Sequence, residues 1–265
     1  MVDLAFAEYG PGDDGTGGAP LIVLHGLFGS ARNWTRIARE LSANHHVYTL
    51  DLRNHGTSPR TPSMSYAEMA ADVADFIAAH GIADPVVMGH SMGGKVAMEL
   101  ALEQPTLPRA LIVVDIAPVP YGHDRMDYVA AMQALDLAAT GRRSEIEDVL
   151  RAQVDDPGIA AFLMTNLERA GDGFQWRINL PAISASMTDL VGFDPPPGAV
   201  YRRPALFVAG DRSAYIREDH KARIAELFPR ARVVTLKDAA HWVHADQPEA
   251  FVSTVQAFLG AVEKV

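Results

Sequence analysis

Seven residues, GHSMGGK from Gly89 to Lys95, hold the densest chemistry in the chain, and they fit two templates. Taken from Gly89 they are G-x-x-x-x-G-K, a glycine loop that cradles nucleotide phosphates, short of its final Ser or Thr. Taken around Ser91 they are G-x-S-x-G, a tight turn that presents a serine hydroxyl as a nucleophile. The phosphate reading draws on LIVVD, Leu111 to Asp115, an apolar strand pattern ending in an Asp that would hold magnesium. Three features count against it: position 96 is a valine where a metal-binding hydroxyl belongs, several strand-like runs precede the loop, and no base-reading motif follows it.

The nucleophile reading asks for small residues two before and two after the serine, where the backbone closes on itself, and Gly89 and Gly93 supply them. It also asks for a strand before and a helix after, and PVVM and GGKVAMELAL have those patterns. The start of that helix favours negative charge beside the serine. A serine is a weak nucleophile at neutral pH unless a base takes its proton. His241, in KDAAHWVHADQPEAF, follows the last strand-like run and precedes the final helix, where such a base is expected; His244 is its rival, a turn further on. The turn HGLFGS, His25 to Ser30, ends an apolar strand and is expected to pair the backbone N–H of Leu27 with that of Met92 as an oxyanion hole.

These groups need a scaffold, and the apolar runs PLIVLHG, HHVYTLDLRNHG, PVVMGHS and ALIVVDIAP provide one. Each is a continuous apolar strand of the kind buried on both faces in a parallel sheet, and each ends in small or polar residues. Between them lie helices. Ser65 and Glu68 form a capping box, Met69, Val73, Phe76 and Ile77 recur at helical spacing, and Gly81 stops the run. A second helix is predicted from Met92 to Glu103, ended by Pro105. A first strand is predicted over Leu4 to Tyr9, and GPGDDGTGGAP after it is a turn. From Tyr121 to Gly198 the alternation stops and four short helices are expected, over DYVAAMQALDLAA, SEIEDVLRAQV, IAAFLMTNLERA and Ala182 to Leu190. DPPPG then leads back to the sheet. The pattern predicts an α/β fold with a mostly parallel sheet, a core from 1–120 and 199–265, and an inserted helical cap over 121–198.

The chain has 265 residues, a hydrophobic content of 48% and a formal net charge of -10. Such a charge repels nucleic acid and anionic lipid, so neither is an expected partner. The absence of cysteine excludes disulfides, thiolate metal sites and a cysteine nucleophile. MVDLAFAEYG lacks the basic start and apolar centre of a secretory signal, and no apolar run approaches membrane-spanning length, so a cytoplasmic location is expected.

With these motifs in order, the chain resembles the α/β-hydrolase superfamily over nearly its full length. HGLFGS, DLRNHGTSP, GHSMGG, VDIAPV and HWVHADQP follow one another in that family's sequence. The details look more like its small cap-bearing carboxylesterases and acyl-CoA hydrolases than its haloalkane dehalogenases, which would need Asp at position 91. The resemblance implies a serine hydrolase acting on a small-molecule ester or thioester, without metal or organic cofactor. A thioesterase or a cofactor-free haloperoxidase would use the same residues, and a non-catalytic binding protein of this fold is the rival from another class. In many members the triad acid ends a G-x-x-D pattern, but GDRS, Gly210 to Ser213, has serine there. Asp115 is therefore the expected acid, with Asp211 as the alternative. The cap is expected to close an apolar pocket from Phe28, Phe162, Leu163, Met164, Ile183 and Met187. Asp51 and Arg53 are expected to shape a turn, His90 to pack near the serine, and Lys95 to be a solvated or locally paired charge.

Overall fold

The computed structural model describes residues 2–10, 17–122, 125–138 and 141–264. Its main sheet contains seven strands: β1 Phe6–Tyr9, β2 Gly18–Leu24, β3 His45–Leu50, β4 Val86–His90, β5 Ala110–Val114, β8 Ala205–Gly210 and β9 Ala231–Leu236. Their order is β1-β3-β2-β4-β5-β8-β9. Only β1 runs antiparallel, against β3; the other neighbours are parallel. Most of the turn predicted over GPGDDGTGGAP lies outside the described residues, and the first strand begins at Phe6 rather than Leu4.

The unbroken apolar runs reflect burial on both faces. Within β4, Val87 joins the core on one side while Val86 and Met88 join the core on the other. Helices α2 Tyr66–Ala79, α3 Met92–Glu103 and α9 Lys221–Leu227 cover the first face; α1 Thr35–Leu41 and α11 Pro248–Val262 cover the second. The Ser65 capping box forms as predicted, with the Glu68 N–H donating to Ser65 Oγ at 3.2 Å. No helix among the described residues is long and apolar enough to cross a membrane.

Between the adjacent strands β5 and β8 the chain leaves the sheet and builds an insertion. It contains α4 Met126–Gln133, α5 Arg143–Arg151, α6 Pro157–Met164, α7 Leu180–Ala185 and α8 Met187–Val191. It also contains a hairpin, β6 Leu167–Ala170 paired with β7 Gly173–Trp176, which the expectation of helices alone does not include. LERA continues the preceding apolar helix in pattern, yet it pairs with GFQW through a turn at Gly171, whose φ is 56°. Neither strand is an apolar run, because each has only one side to bury. The helix expected over Ala182 to Leu190 is divided at Ser186 into α7 and α8.

The insertion fastens to α3 through Lys95. Expected to be solvated or locally paired, this side chain is paired and only 2% exposed, because the insertion folds down over the first turn of α3. Its Nζ donates to the carbonyls of Leu190, Val191 and Gly192 at the end of α8, at 3.5, 3.0 and 2.6 Å. The rings of Tyr66 and Tyr121 lie 5.5 and 5.0 Å from the same nitrogen. Burial pushes the amine down to about 7, while the carbonyls and ring faces favour its charged form.

Two buried turns complete the support. Asp51 accepts from the N–H groups of Ala31 and Thr57, at 2.7 and 2.8 Å, and Arg53 pairs with Asp72 at 2.6 Å. The sequence DLRNHGTSP thus acts as a brace, as its polar residues led one to expect. His55 accepts the Phe28 N–H and donates to the Arg53 carbonyl, and His25 accepts the Leu52 N–H and donates to the Gly26 carbonyl. Both imidazoles are neutral: burial lowers His25, and burial together with the neighbouring His25 takes His55 down to about 3.

Two outcomes follow from this framework. A Cβ at position 89 would lie 2.0 Å from the Gly93 carbonyl oxygen, a backbone clash with no flexible partner to yield. Gly89→Ala is therefore expected to lower stability by about 3 kcal/mol or more, read as a lower urea midpoint; an unchanged midpoint would show that the turn can open. His55 also makes stability depend on acid. Its pKa when folded is below that of the unfolded chain, so the unfolded chain binds more protons between the two values and stability falls as pH drops below about 6.5. At about pH 5 this costs about 2 kcal/mol, so the melting temperature should fall between about pH 7.5 and 5, and fall less in His55→Asn.

Candidate active site

In the strand order, β2 has β3 on one side and β4 on the other, so the chain reverses its direction of winding at the β2–β4 boundary. Open α/β sheets bind ligands at the carboxyl ends of strands at such a point. The loop after β2 and the turn after β4 meet there. Ser91 sits on that turn with φ 52° and ψ -118°, outside the comfortable range of a residue with a side chain. Its N–H donates to the Val114 carbonyl at 3.0 Å, which ties the turn to β5. A Cβ at position 93 would lie 2.5 Å from the His25 carbonyl oxygen, so α3 can begin against the end of β2 only because Gly93 has none.

The structure brings Ser91, His241 and Asp115 together. His241 Nε2 lies 3.1 Å from Ser91 Oγ, and His241 Nδ1 lies 2.8 Å from Asp115 Oδ2. The carboxylate can only accept, so Nδ1 carries the proton and Nε2 presents a lone pair to the serine hydroxyl. Asp115 is fully buried at the end of β5, with φ 51°. Its Oδ1 accepts from the Gly210 N–H at 3.1 Å and its Oδ2 from Ser213 Oγ at 2.5 Å. Asp211, the alternative acid, is exposed, and none of the described hydrogen bonds involves its carboxylate. The serine at the fourth position of GDRS thus lies beside the carboxylate from β5.

Several neighbours hold the imidazole, and of these the sequence singled out only His90. The Tyr215 ring stacks on His241 with centroids 4.0 Å apart and planes 22° apart. Tyr121 donates its hydroxyl to the Tyr215 carbonyl at 2.7 Å, and Arg125 donates to the Tyr215 hydroxyl at 2.5 Å. His90 packs beside the site and donates from Nε2 to the His241 carbonyl at 2.8 Å. A tyrosine two residues beyond a G-x-x-S turn carries no pattern that announces such a contact. His244 stacks on Trp34 at 4.2 Å and makes no bond to the serine, so the two candidate histidines are separated in space as well as in sequence.

A cavity of about 570 Å³ opens above Ser91. Leu27, Phe28, Met92, Phe162, Leu163 and Met187 line it, as expected. Met164 and Ile183 do not: both side chains are turned away from it into the core. On an eight-residue helix such as α6, only one face can see the cavity, and Met164 falls on the other. The Met92 N–H belongs to the first turn of α3 and has no carbonyl four residues earlier in the helix to receive it. Met92 and Leu27 both line the cavity that holds Ser91.

The same architecture occurs in known proteins. The model of the α/β-hydrolase fold family matches residues 19–248. A zebrafish (Danio rerio) protein named sn-1-specific diacylglycerol lipase ABHD11 is 42% identical over 255 residues, covering 93% of this chain and 80% of that one. Esterase YbfF of Escherichia coli K12 is 35% identical, covering 91% and 93%. Among solved structures, that of a marine microorganism esterase superposes with a TM-score of 0.92 at 37% identity, covering 97% of this chain and 100% of its own. The chain belongs to the α/β-hydrolase family, and it is an enzyme of that family's esterase and lipase type.

Proposed function

We propose that this protein cleaves carboxylic esters of small to medium acyl chains through an acyl-enzyme, with Ser91 as nucleophile, His241 as base and acid, and Asp115 as the orienting carboxylate. The observation that carries this reading is one imidazole bonded to the serine on one side and to a buried carboxylate on the other. Relatives named as a diacylglycerol lipase and as esterases support an ester as the substrate.

In the first step Ser91 Oγ attacks the ester carbonyl while Nε2 of His241 takes its proton. Asp115 stabilises the imidazolium, and the Leu27 and Met92 N–H groups receive the oxyanion. The imidazolium gives its proton to the leaving alcohol oxygen, the C–O bond breaks, and the acyl group stays on Ser91. Water then attacks the acyl-enzyme by the same route and releases the acid. These steps draw on the side chains and backbone N–H groups named and on water. Ser213 and the Gly210 N–H keep the carboxylate aimed, while residues 121–198 form the cap that screens the serine above a core of 1–120 and 199–265. Phe28, Phe162, Leu163 and Met187 give the acyl chain an apolar wall.

Ser91→Ala is expected to reduce hydrolysis of a p-nitrophenyl ester by about a thousandfold or more and to abolish labelling by a fluorophosphonate. Near wild-type turnover by that variant would refute the assignment. Asp115→Asn should lose about a hundredfold or more in kcat, whereas Asp211→Asn should stay close to wild type. The reverse order would move the acid to the end of β8.

A further inference from the structure

The cavity contains a titratable ring that these steps do not use. His244, on the short helix α10 Val243–Asp246, lines the cavity and is 8% exposed. Its Nδ1 is buried with no hydrogen-bond partner, alone in this respect among the buried side-chain polar atoms of the described residues. The buried histidines His25 and His55 behave differently, since both nitrogens of each are hydrogen-bonded. If packing on Trp34 were its whole task, a phenylalanine or leucine would fill the same space without burying a polar atom.

The tautomer follows from these surroundings. Burial and the nearby His241 take His244 down to about 3, so the ring is neutral and carries one proton. An N–H orphaned in the protein interior costs more than an unused lone pair, so the proton belongs on Nε2. That nitrogen makes none of the described hydrogen bonds and is not among the buried unpartnered atoms, which places it at the cavity surface. His244 thus offers the cavity a fixed N–H donor.

Its position relates it to one half of the substrate. In the reaction above, His241 must reach the leaving oxygen to protonate it, so the alcohol lies on the His241 side of Ser91. Trp242, His244, Ala245 and Asp246 continue from His241 along that wall, and His90 makes ring contacts with both His241 and His244, at 4.6 and 5.0 Å. Further out on the wall stand Asn33 and Asp246, both exposed. Asn33 uses its Oδ1 for the Ser30 N–H, which leaves the amide as donor. Asp246 uses Oδ2 for the Ala240 N–H, which leaves Oδ1 as acceptor. A hydroxyl both accepts and donates, and so suits a wall with an N–H inside and a carboxylate at the rim, where an anionic alcohol would be repelled by Asp246.

We propose that His244 determines specificity for the alcohol half of the substrate, its Nε2–H binding a hydroxyl next to the ester linkage, so that the enzyme favours esters of polyols over esters of simple alkanols. The inference rests on the Ser91 reading. One neutral hydrogen bond corresponds to about a tenfold preference.

The test compares glyceryl monobutyrate with propyl butyrate, which share an acyl group and differ in two hydroxyls. The ratio of kcat/KM for the two should fall about tenfold in His244→Leu and recover in His244→Gln, whose amide reaches the place of Nε2. A ratio equal in wild type and His244→Leu overturns the proposal. Fluorophosphonate labelling of each variant reports whether its site is assembled. Wild-type protein supplies a second measurement should a variant misfold: glycerol should intercept the butyryl-enzyme more effectively than 1-propanol at equal concentration, and equal or weaker interception also overturns the proposal. Should Ser91→Ala cleave both esters at the wild-type rate, the nucleophile reading fails; should Ser91→Ala be inactive and the ratio stay unmoved by His244→Leu, only the role of His244 fails.

Discussion

The rest of the site depends on a steric constraint: the first turn of α3 must lie against the carboxyl end of β2. At Gly93 the approach is so close that any Cβ would overlap the carbonyls of both Leu24 and His25, and at Gly89 it would overlap Gly93 itself. Only with both side chains absent can Ser91 take its positive φ and lift its hydroxyl above the sheet. The same contact brings the loop after β2 against the serine, where a Cβ at Gly26 would lie 3.3 Å from that of Ser91. The turn of Ser91 and the loop that carries Leu27 are therefore placed by one piece of packing, and a fault in it would move both.

Helices on both faces make that packing rigid, and the insertion closes it from above. Lys95 is central to this closure because it belongs to α3, the helix that Ser91 begins, yet makes its hydrogen bonds to the end of α8. A buried amine among carbonyls and aromatic faces is a costly contact to make and a directional one once made. It sets the height of the insertion over α3 and hence the depth of the cavity beside Ser91. In GHSMGGK the lysine can be a solvated or a locally paired charge, because the pattern of a helix shows which face meets the sheet, and nothing about a second layer laid across the other face.

The elements most legible in the sequence are those whose signals are local. The Ser65 capping box, the α3 boundaries at Met92 and Glu103, and the parallel strands all rest on neighbouring residues, and the structure follows them. The β6–β7 hairpin was illegible because its strands are four residues long and lack an apolar run. Their pairing rests on a turn at Gly171 and on the neighbours that cover one side. Met164 and Ile183 failed as pocket residues for a related reason: apolarity marks burial, but it does not say whether the buried surface faces a cavity or the core.

The acid shows how far motif reading reaches into a site. A G-x-x-D template searches one strand end, whereas the imidazole responds only to where a carboxylate oxygen lies in space. Strands β5 and β8 are adjacent and parallel, with Val114 opposite Val208, so their carboxyl ends stand side by side and a carboxylate from either can approach His241. With Asp115 on β5, the loop after β8 is released from supplying charge and contributes the Ser213 hydroxyl and the Gly210 N–H to the same carboxylate. A donor suits that place better than a second acid would, because two carboxylates there would repel and one would take a proton. Ser213 after β8 and Asp115 after β5 therefore meet at one carboxylate. Position 213 can hold a hydroxyl because position 115 holds the charge.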